Sequence, residues 1–267
     1  MSNCEQLLSP GKSFGFAPLG STDPHQVQLA EECALAIAYN GLNQAVMMVS
    51  PQDLEDFVVG FSLSAGIVDD MDAIYDIQLE GTGQALQAQV RIAERHFWRL
   101  KAQRRQLPGN SSCGLCGVEA LDQALPQLAP LAGSPLPPKR HLEQLRQRIA
   151  PLQPLAQRSG ALHAAIFMAG DGELVLGRED IGRHNALDKL IGALARSGTA
   201  TDGGALVLTS RCSLELIHKA LRAGIGTLIS FSAPTALAVD WAQRHRLNLI
   251  HLPHHSEPRV FSPAPKE

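Results

Sequence analysis

The sequence predicts an α/β protein in two parts, a small N-terminal α+β domain followed by a three-layer α/β/α domain. Three observations carry this. In the first half, turn signals at Asn40-Gly41 and Gly81-Thr82-Gly83 each separate two strand-like runs, the mark of hairpins. At 126–138, Pro126, Pro130, Pro135, Pro137 and Pro138 with Gly133 and Ser134 form a linker. Beyond it, short apolar runs at 205–209, 227–231 and 247–251 alternate with helix-length segments, which implies a parallel sheet covered on both faces and joined by right-handed crossovers.

Taken in order, residues 1–20 read as a loose tail and 21–125 as the N-terminal domain. Apolar runs at 31–39 and 44–49 make the first hairpin. Ser50-Pro51-Gln52-Asp53 then reads as N-cap, proline at the first helical position and an acidic first turn; Leu54, Phe57, Val58 and Phe61 follow at helical spacing up to Gly66. Alternating runs at 74–80 and 84–92 form the second hairpin, and 94–106 is a basic helix. Val118, Leu121 and Leu125 fit a short helix before the linker. The second domain, 139–267, opens with a helical stretch at 141–149, then strands at 163–168 and 173–177 about Gly170-Asp171-Gly172.

At 267 residues the chain is long enough for two cores. A net charge of −3 and 18% charged residues offer no global basic surface, so no nucleic-acid partner is expected and any anion site must be local. No export signal opens the chain and no apolar run approaches the ~20 residues that span a bilayer, so no membrane partner and a cytoplasmic location are expected. Five cysteines, an odd number, point to reduced thiols rather than a disulfide framework. Cys33, in an apolar strand, reads as a small buried hydrophobe.

Ser111-Ser112-Cys113-Gly114-Leu115-Cys116-Gly117 is different: two thiols in a glycine-flanked loop. Arg95, Arg99, Lys101, Arg104 and Arg105 lie upstream and a helix start is read near Gly117, both of which favour a thiolate. Such a pair serves as half of a zinc site, as a dithiol redox couple, or as a persulfide-carrying nucleophile.

Ligands of α/β sheets gather beyond the carboxyl ends of the strands. Three polar loops fall there: 178–185, with Asp180 as N-cap and Arg183 and His184 following; 209–213, with Ser210 and Arg211; and 230–235, with Ser232 and Thr235. Hydroxyls, amides and arginines at helix N-termini hold phosphate oxygens, while ion pairs of Arg183 or Arg211 with Glu179 or Glu215 are the competing expectation.

Cys-Gly-Leu-Cys-Gly-Val-Glu at 113–119, Arg-Glu-Asp-Ile-Gly-Arg-His-Asn-Ala-Leu-Asp-Lys-Leu-Ile-Gly at 178–192 and Ser-Ala-Pro-Thr-Ala-Leu-Ala-Val at 232–239 resemble the formate dehydrogenase accessory sulfurtransferase (FdhD) family, over about residues 30–250. The resemblance implies a second domain similar to the cytidine deaminase fold. It implies a sulfurtransferase that accepts persulfide sulfur from a cysteine desulfurase and passes it to the molybdenum cofactor, as bis-molybdopterin guanine dinucleotide, for formate dehydrogenase. Cys113 would be the carrier with Cys116 assisting; Arg183, His184, Arg211, Ser232 and Thr235 would meet the cofactor, a bound substrate, with no permanently bound metal. The family's Ser-Gly-Arg is here Thr209-Ser210-Arg211 followed by Cys212, and its Phe-x-Arg segment after the last strand reads Leu252-Pro253-His254-His255-Ser256-Glu257, also expected at the cofactor. A homodimer is expected.

A zinc deaminase lacks support, because His163 is followed by Ala164-Ala165 rather than x-Glu and Cys113 by no preceding proline. A thioredoxin-like motif belongs after the first strand of a βαβ unit, not at mid-chain. From another class, the alternative is a non-catalytic chaperone of the molybdenum cofactor, which would keep the pocket without needing Cys113.

Overall fold

The computed structural model describes residues 11–105 and 125–263, which build three sheets. Lys12–Phe16 (β1) and His25–Leu29 (β2) pair as an exposed antiparallel hairpin, so residues 12–16 of the expected tail are a strand. The second sheet has the order β4-β3-β6-β5, from Cys33–Tyr39 (β3), Leu42–Val49 (β4), Ile74–Thr82 (β5) and Ala85–Ile92 (β6). Tyr39 pairs with Leu42 around Asn40-Gly41, whose φ values of 46° and 80° are those a tight hairpin turn of primed type requires. Thr82 pairs with Ala85 in the second hairpin, and β3 lies parallel to β6.

Helix α1 (Leu54–Ser64) covers one face of this sheet, burying Leu54, Phe57 and Val58 against Leu35, Ile37 and Val90. Ser50 is not its cap. The Ser50 amide donates to Asp180 Oδ2 at 2.9 Å and its hydroxyl accepts from the Ile181 amide at 3.1 Å, so the helix starts only after Asp53, at φ 53°. Helix α2 (Glu94–Arg105) adds Leu100 and Phe97 to the same core. Of the short helix read around 118–125, the first part lies outside the described residues and Leu125 sits in a bend.

The proline-rich segment is laid against the second half. Leu128 and Leu131 pack on its core, the Leu131 amide donates to the His245 carbonyl, and Asn248 Nδ2 donates to the Ser134 carbonyl at 3.0 Å. The helical stretch at 141–149 is two single turns, α3 (Lys139–Leu142) and α4 (Leu145–Arg148), interrupted at Gln144 with φ 51°; α5 (Pro154–Ser159) follows.

The third sheet has the order β12-β11-β10-β9-β7-β8, from His163–Met168 (β7), Leu174–Asp180 (β8), Ala205–Leu208 (β9), Thr227–Ser230 (β10), Asn248–His251 (β11) and Arg259–Ser262 (β12). The three runs read as parallel, β9, β10 and β11, do run parallel, and the whole sheet is mixed because β7 opposes both its neighbours and β12 opposes β11. The turns at 169–173 and 252–258 are too short for crossover helices, so the chain doubles back. Alternation of side chains divides the sheet's faces. Phe167, Leu206, Leu228 and Leu249 meet α6 (Arg183–Ser197), α7 (Leu214–Arg222) and α8 (Ala236–Arg244). Ile166, Val207, Ile229 and Ile250 meet Leu145 and Ile149 on the other, giving three layers.

Candidate functional site

Strands β8, β9, β10 and β11 all end at one edge of the third sheet, and each of the first three hands over there to a helix. The caps are Gly182, Ser213 and Thr235, not Asp180, Ser210 and Ser232. Asp180 ends β8 and is fully buried 2.7 Å from Lys189. The Ser210 hydroxyl donates to the Arg211 carbonyl, and the Ser232 carbonyl accepts from the Ser230 hydroxyl. Thr235 Oγ1 caps α8 by accepting from the Ala238 amide at 3.3 Å.

The loops are tied side by side. Cys212 and Pro234 form a parallel bridge, and the Thr235 amide donates to the Cys212 carbonyl at 3.1 Å, which sets Ser232 and Thr235 beside the Arg211 loop. On the other face Arg146 pins the ends of β10 and β11: its Nη2 donates to the Phe231 carbonyl at 3.1 Å and the Leu252 carbonyl at 2.7 Å, with the guanidinium 4.2 Å over the Phe231 ring.

Neither Arg183 nor Arg211 reaches a carboxylate among the described residues, so the expected ion pairs are absent there. Glu179 instead accepts from the Leu155 and Ala156 amides at 2.9 and 2.7 Å, and Glu215 lies 3.8 Å from His184 Nε2. Arg183 Nε is buried without a hydrogen-bond partner in the described structure. His163, at the start of β7, completes the group. Burial, then the Arg183 and Arg211 charges, push its pKa below the ordinary imidazole value, with Asp180 opposing. Burial and Arg183 do the same to His184. Two guanidiniums that meet no carboxylate among the described residues, two neutral imidazoles and helix N-termini make an edge suited to phosphate oxygens.

His254, His255, Ser256 and Glu257 stand apart from this group in their contacts. They are exposed; Glu257 pairs with Lys139 at 2.8 Å and Ser256 accepts weakly from Arg259 at 3.4 Å. Leu252 is buried and contributes its carbonyl to Arg146. Cys113 and Cys116 lie outside the described residues. The described cysteines are buried, and burial pushes the Cys212 thiol up to about 12, too high for a thiolate nucleophile. Among the described residues no cluster of His, Cys, Asp or Glu could hold a metal ion, and no helix is long and apolar enough to cross a membrane.

Residues 30–266 match the sequence model of the FdhD/NarQ family. The chain belongs to that family. It is 44% identical to the sulfur carrier protein FdhD of Cupriavidus necator over 225 residues, 83% of this chain and 77% of that one. It is 42% identical to the protein of the same name from Bordetella bronchiseptica over 234 residues, 88% and 85% of the two chains. A crystal structure from Desulfotalea psychrophila, described as that of a formate dehydrogenase accessory protein, superposes with a TM-score of 0.72 at 24% identity, covering 94% of this chain and 95% of that one.

Most of the 178–192 segment in this FdhD/NarQ chain joins the two halves, a role the sequence reading missed. Arg178 pairs with Asp56 of α1 at 2.7 Å. Asn185 Nδ2 donates to the Met48 carbonyl, and the fully buried Lys189 Nζ to the Ser50 carbonyl at 3.0 Å. Asp188 accepts from Ser64 and Lys219. The one available signal was spacing: 185, 188, 189 and 192 share a helical face. Arg183 and His184 are left to the sheet edge.

Proposed function

We propose that the chain is a sulfur carrier. Cys113, assisted by Cys116, accepts sulfur from a cysteine desulfurase and delivers it to the molybdenum cofactor, as bis-molybdopterin guanine dinucleotide, for formate dehydrogenase. The Cys113 thiolate attacks the outer sulfur of the donor's persulfide; the donor's S–S bond breaks, a new one forms at Cys113, and the donor cysteine leaves as thiolate. Delivery of that sulfur as a sulfido ligand takes up two electrons from the reduced acceptor centre and restores the Cys113 thiolate. Family membership, with relatives that bear the name of sulfur carrier, is the observation that carries this reading.

Arg183 and Arg211, which pair with no carboxylate among the described residues, support an acceptor that carries pyrophosphates. Ser232, Thr235 and His184 flank them, and the cofactor is held there as substrate. Intact-mass measurement after incubation with a cysteine desulfurase and cysteine tests the first step. One added sulfur on the Cys113 peptide is expected; an adduct unchanged in Cys113→Ala removes the assignment.

A further inference from the structure

Helix α2 has an outward face that the sulfur-carrier reading leaves without a role. The helix turns His96 and Leu100 into the core of the first half, with Phe97 partly covered. Its opposite face presents Trp98, 56% exposed, and Arg95, whose side chain is 71% exposed while its Nη2 lies 3.7 Å from Asp70 and its Nε donates to His96 Nε2 at 2.9 Å. Lys101 Nζ sits 5.0 Å from the Trp98 ring centroid, so the indole is held beneath a cation rather than against the core. Arg99 is already committed: its guanidinium donates to both oxygens of Asp69 and to the Gly66 and Ile67 carbonyls, which anchors the helix.

The charge of this helix is opposite to that of the chain. It carries Arg95, Arg99, Lys101, Arg104 and Arg105 against the single carboxylate of Glu94, in a protein of net charge −3. Such a local positive field steers an acidic partner and repels a basic one. An isologous contact between two copies through this face would set Arg95 and Lys101 against the same two cations, which disfavours a second copy of this chain as the occupant. An exposed Trp beside Arg and Lys is the composition of an interface anchor with a charged rim. The position also fits. Eight residues carry the chain from Arg105 to Cys113, a covalent reach of at most ~29 Å, so a protein seated on α2 is within range of the carrier thiol.

We propose that the outward face of α2, Trp98 flanked by Arg95 and Lys101, is the docking surface for an acidic patch of the protein that delivers the persulfide. The proposal rests on the sulfur-carrier reading. It is tested with the full chain and a purified cysteine desulfurase, by measuring affinity at low and high salt and the rate of sulfur loading. The variants are Trp98→Ala, Arg95→Glu with Lys101→Glu, and the milder Lys101→Gln, each checked for an unchanged unfolding transition.

Native binding should weaken with salt. Trp98→Ala and the charge-reversal pair should each lower affinity about tenfold or more, Lys101→Gln less, and loading by the desulfurase should slow in parallel. Loading by a small-molecule polysulfide, which needs no docking, should not change. Desulfurase affinity and loading that stay native in all three variants overturn the docking surface while leaving the carrier reading intact. Self-association of the native chain that is lost in the variants, with desulfurase affinity unchanged, assigns the face to a second copy and equally overturns the proposal. A native chain that neither binds nor is loaded by the desulfurase overturns both.

Discussion

Gly60 of α1 and Gly192 of α6 meet backbone to backbone where the two helices cross. A Cβ on Gly60 would fall on the Asp188 carbonyl, and one on Gly192 on the Asp56 carbonyl. Neither obstacle is a flexible side-chain end that could swing aside. The crossing brings the helices close enough for Asp56 and Asp188 to be covered, so that these buried carboxylates meet Arg178 and Lys219 in largely buried pairs, with Arg196 reaching Asp56 from the surface.

Gly192→Ala should therefore destabilise the chain by about 3 kcal/mol, since a methyl forced into a filled core must move backbone. For a protein of this size that is a fall in melting temperature of about 6–12 °C, readable by calorimetry. A melting temperature unchanged from the native chain would show that the helices separate without cost.

Asp180 and Lys189 are fully buried at 2.7 Å, and Asp180 also accepts from the amides of Ser50 and Gly182 and from Asn185 Nδ2. Lys189→Met leaves that carboxylate without its cation, at a cost of about 3–5 kcal/mol. Adding Asp180→Asn should recover part of the loss, so that the double variant is more stable than the sum of the single effects requires. Simple additivity would mean that the pair does not act as a unit.

These same residues show where the sequence could and could not be read. The hairpins were legible because Asn40-Gly41 and the alternation in 85–92 are local signals of turn and half-buried strand. Strand β8 runs on through Arg178, Glu179 and Asp180, where three charged residues had signalled a loop. They are in a strand because their partners Asp56, Leu155, Ser50 and Lys189 come from elsewhere in the chain, and no local pattern encodes that. The same separation moved the helix caps away from Asp180 and Ser50. At the sheet edge, Arg183 and Arg211 were found by residue type, whereas His163 was recognised only once β7 was seen to run beside both loops.

His218 gives a pH dependence. It is buried with its ring 4.5 Å from that of Trp241, and burial, then Arg222, lower its pKa to about 4, against a smaller opposing effect of Glu215, with His245 adding to the lowering. The unfolded chain, with an ordinary imidazole, takes up the proton first as pH falls. Stability should therefore be complete above about pH 6.5 and decline between there and about pH 4. His218→Phe should flatten this decline in a series of thermal melts; an identical slope in the variant would exclude His218 as its source.

At the sheet edge, GDP serves as a stand-in for half of the proposed acceptor. Calorimetry should show binding that weakens with salt and falls at least about tenfold when Arg183→Ala and Arg211→Ala are combined, because two charge-assisted phosphate contacts are lost. Thr235→Val should mainly lower stability, since its hydroxyl caps α8. Binding indifferent to both arginines would leave these loops as structural.

Sulfur transfer and cofactor chaperoning separate most directly in a strain that lacks the native gene. Cys113→Ser keeps the sheet edge and the α2 surface but cannot form a persulfide. With this variant in place, formate dehydrogenase should contain molybdenum and pterin in normal amounts, lack the sulfido ligand and be inactive. Full formate dehydrogenase activity with Cys113→Ser would contradict the sulfur-carrier account.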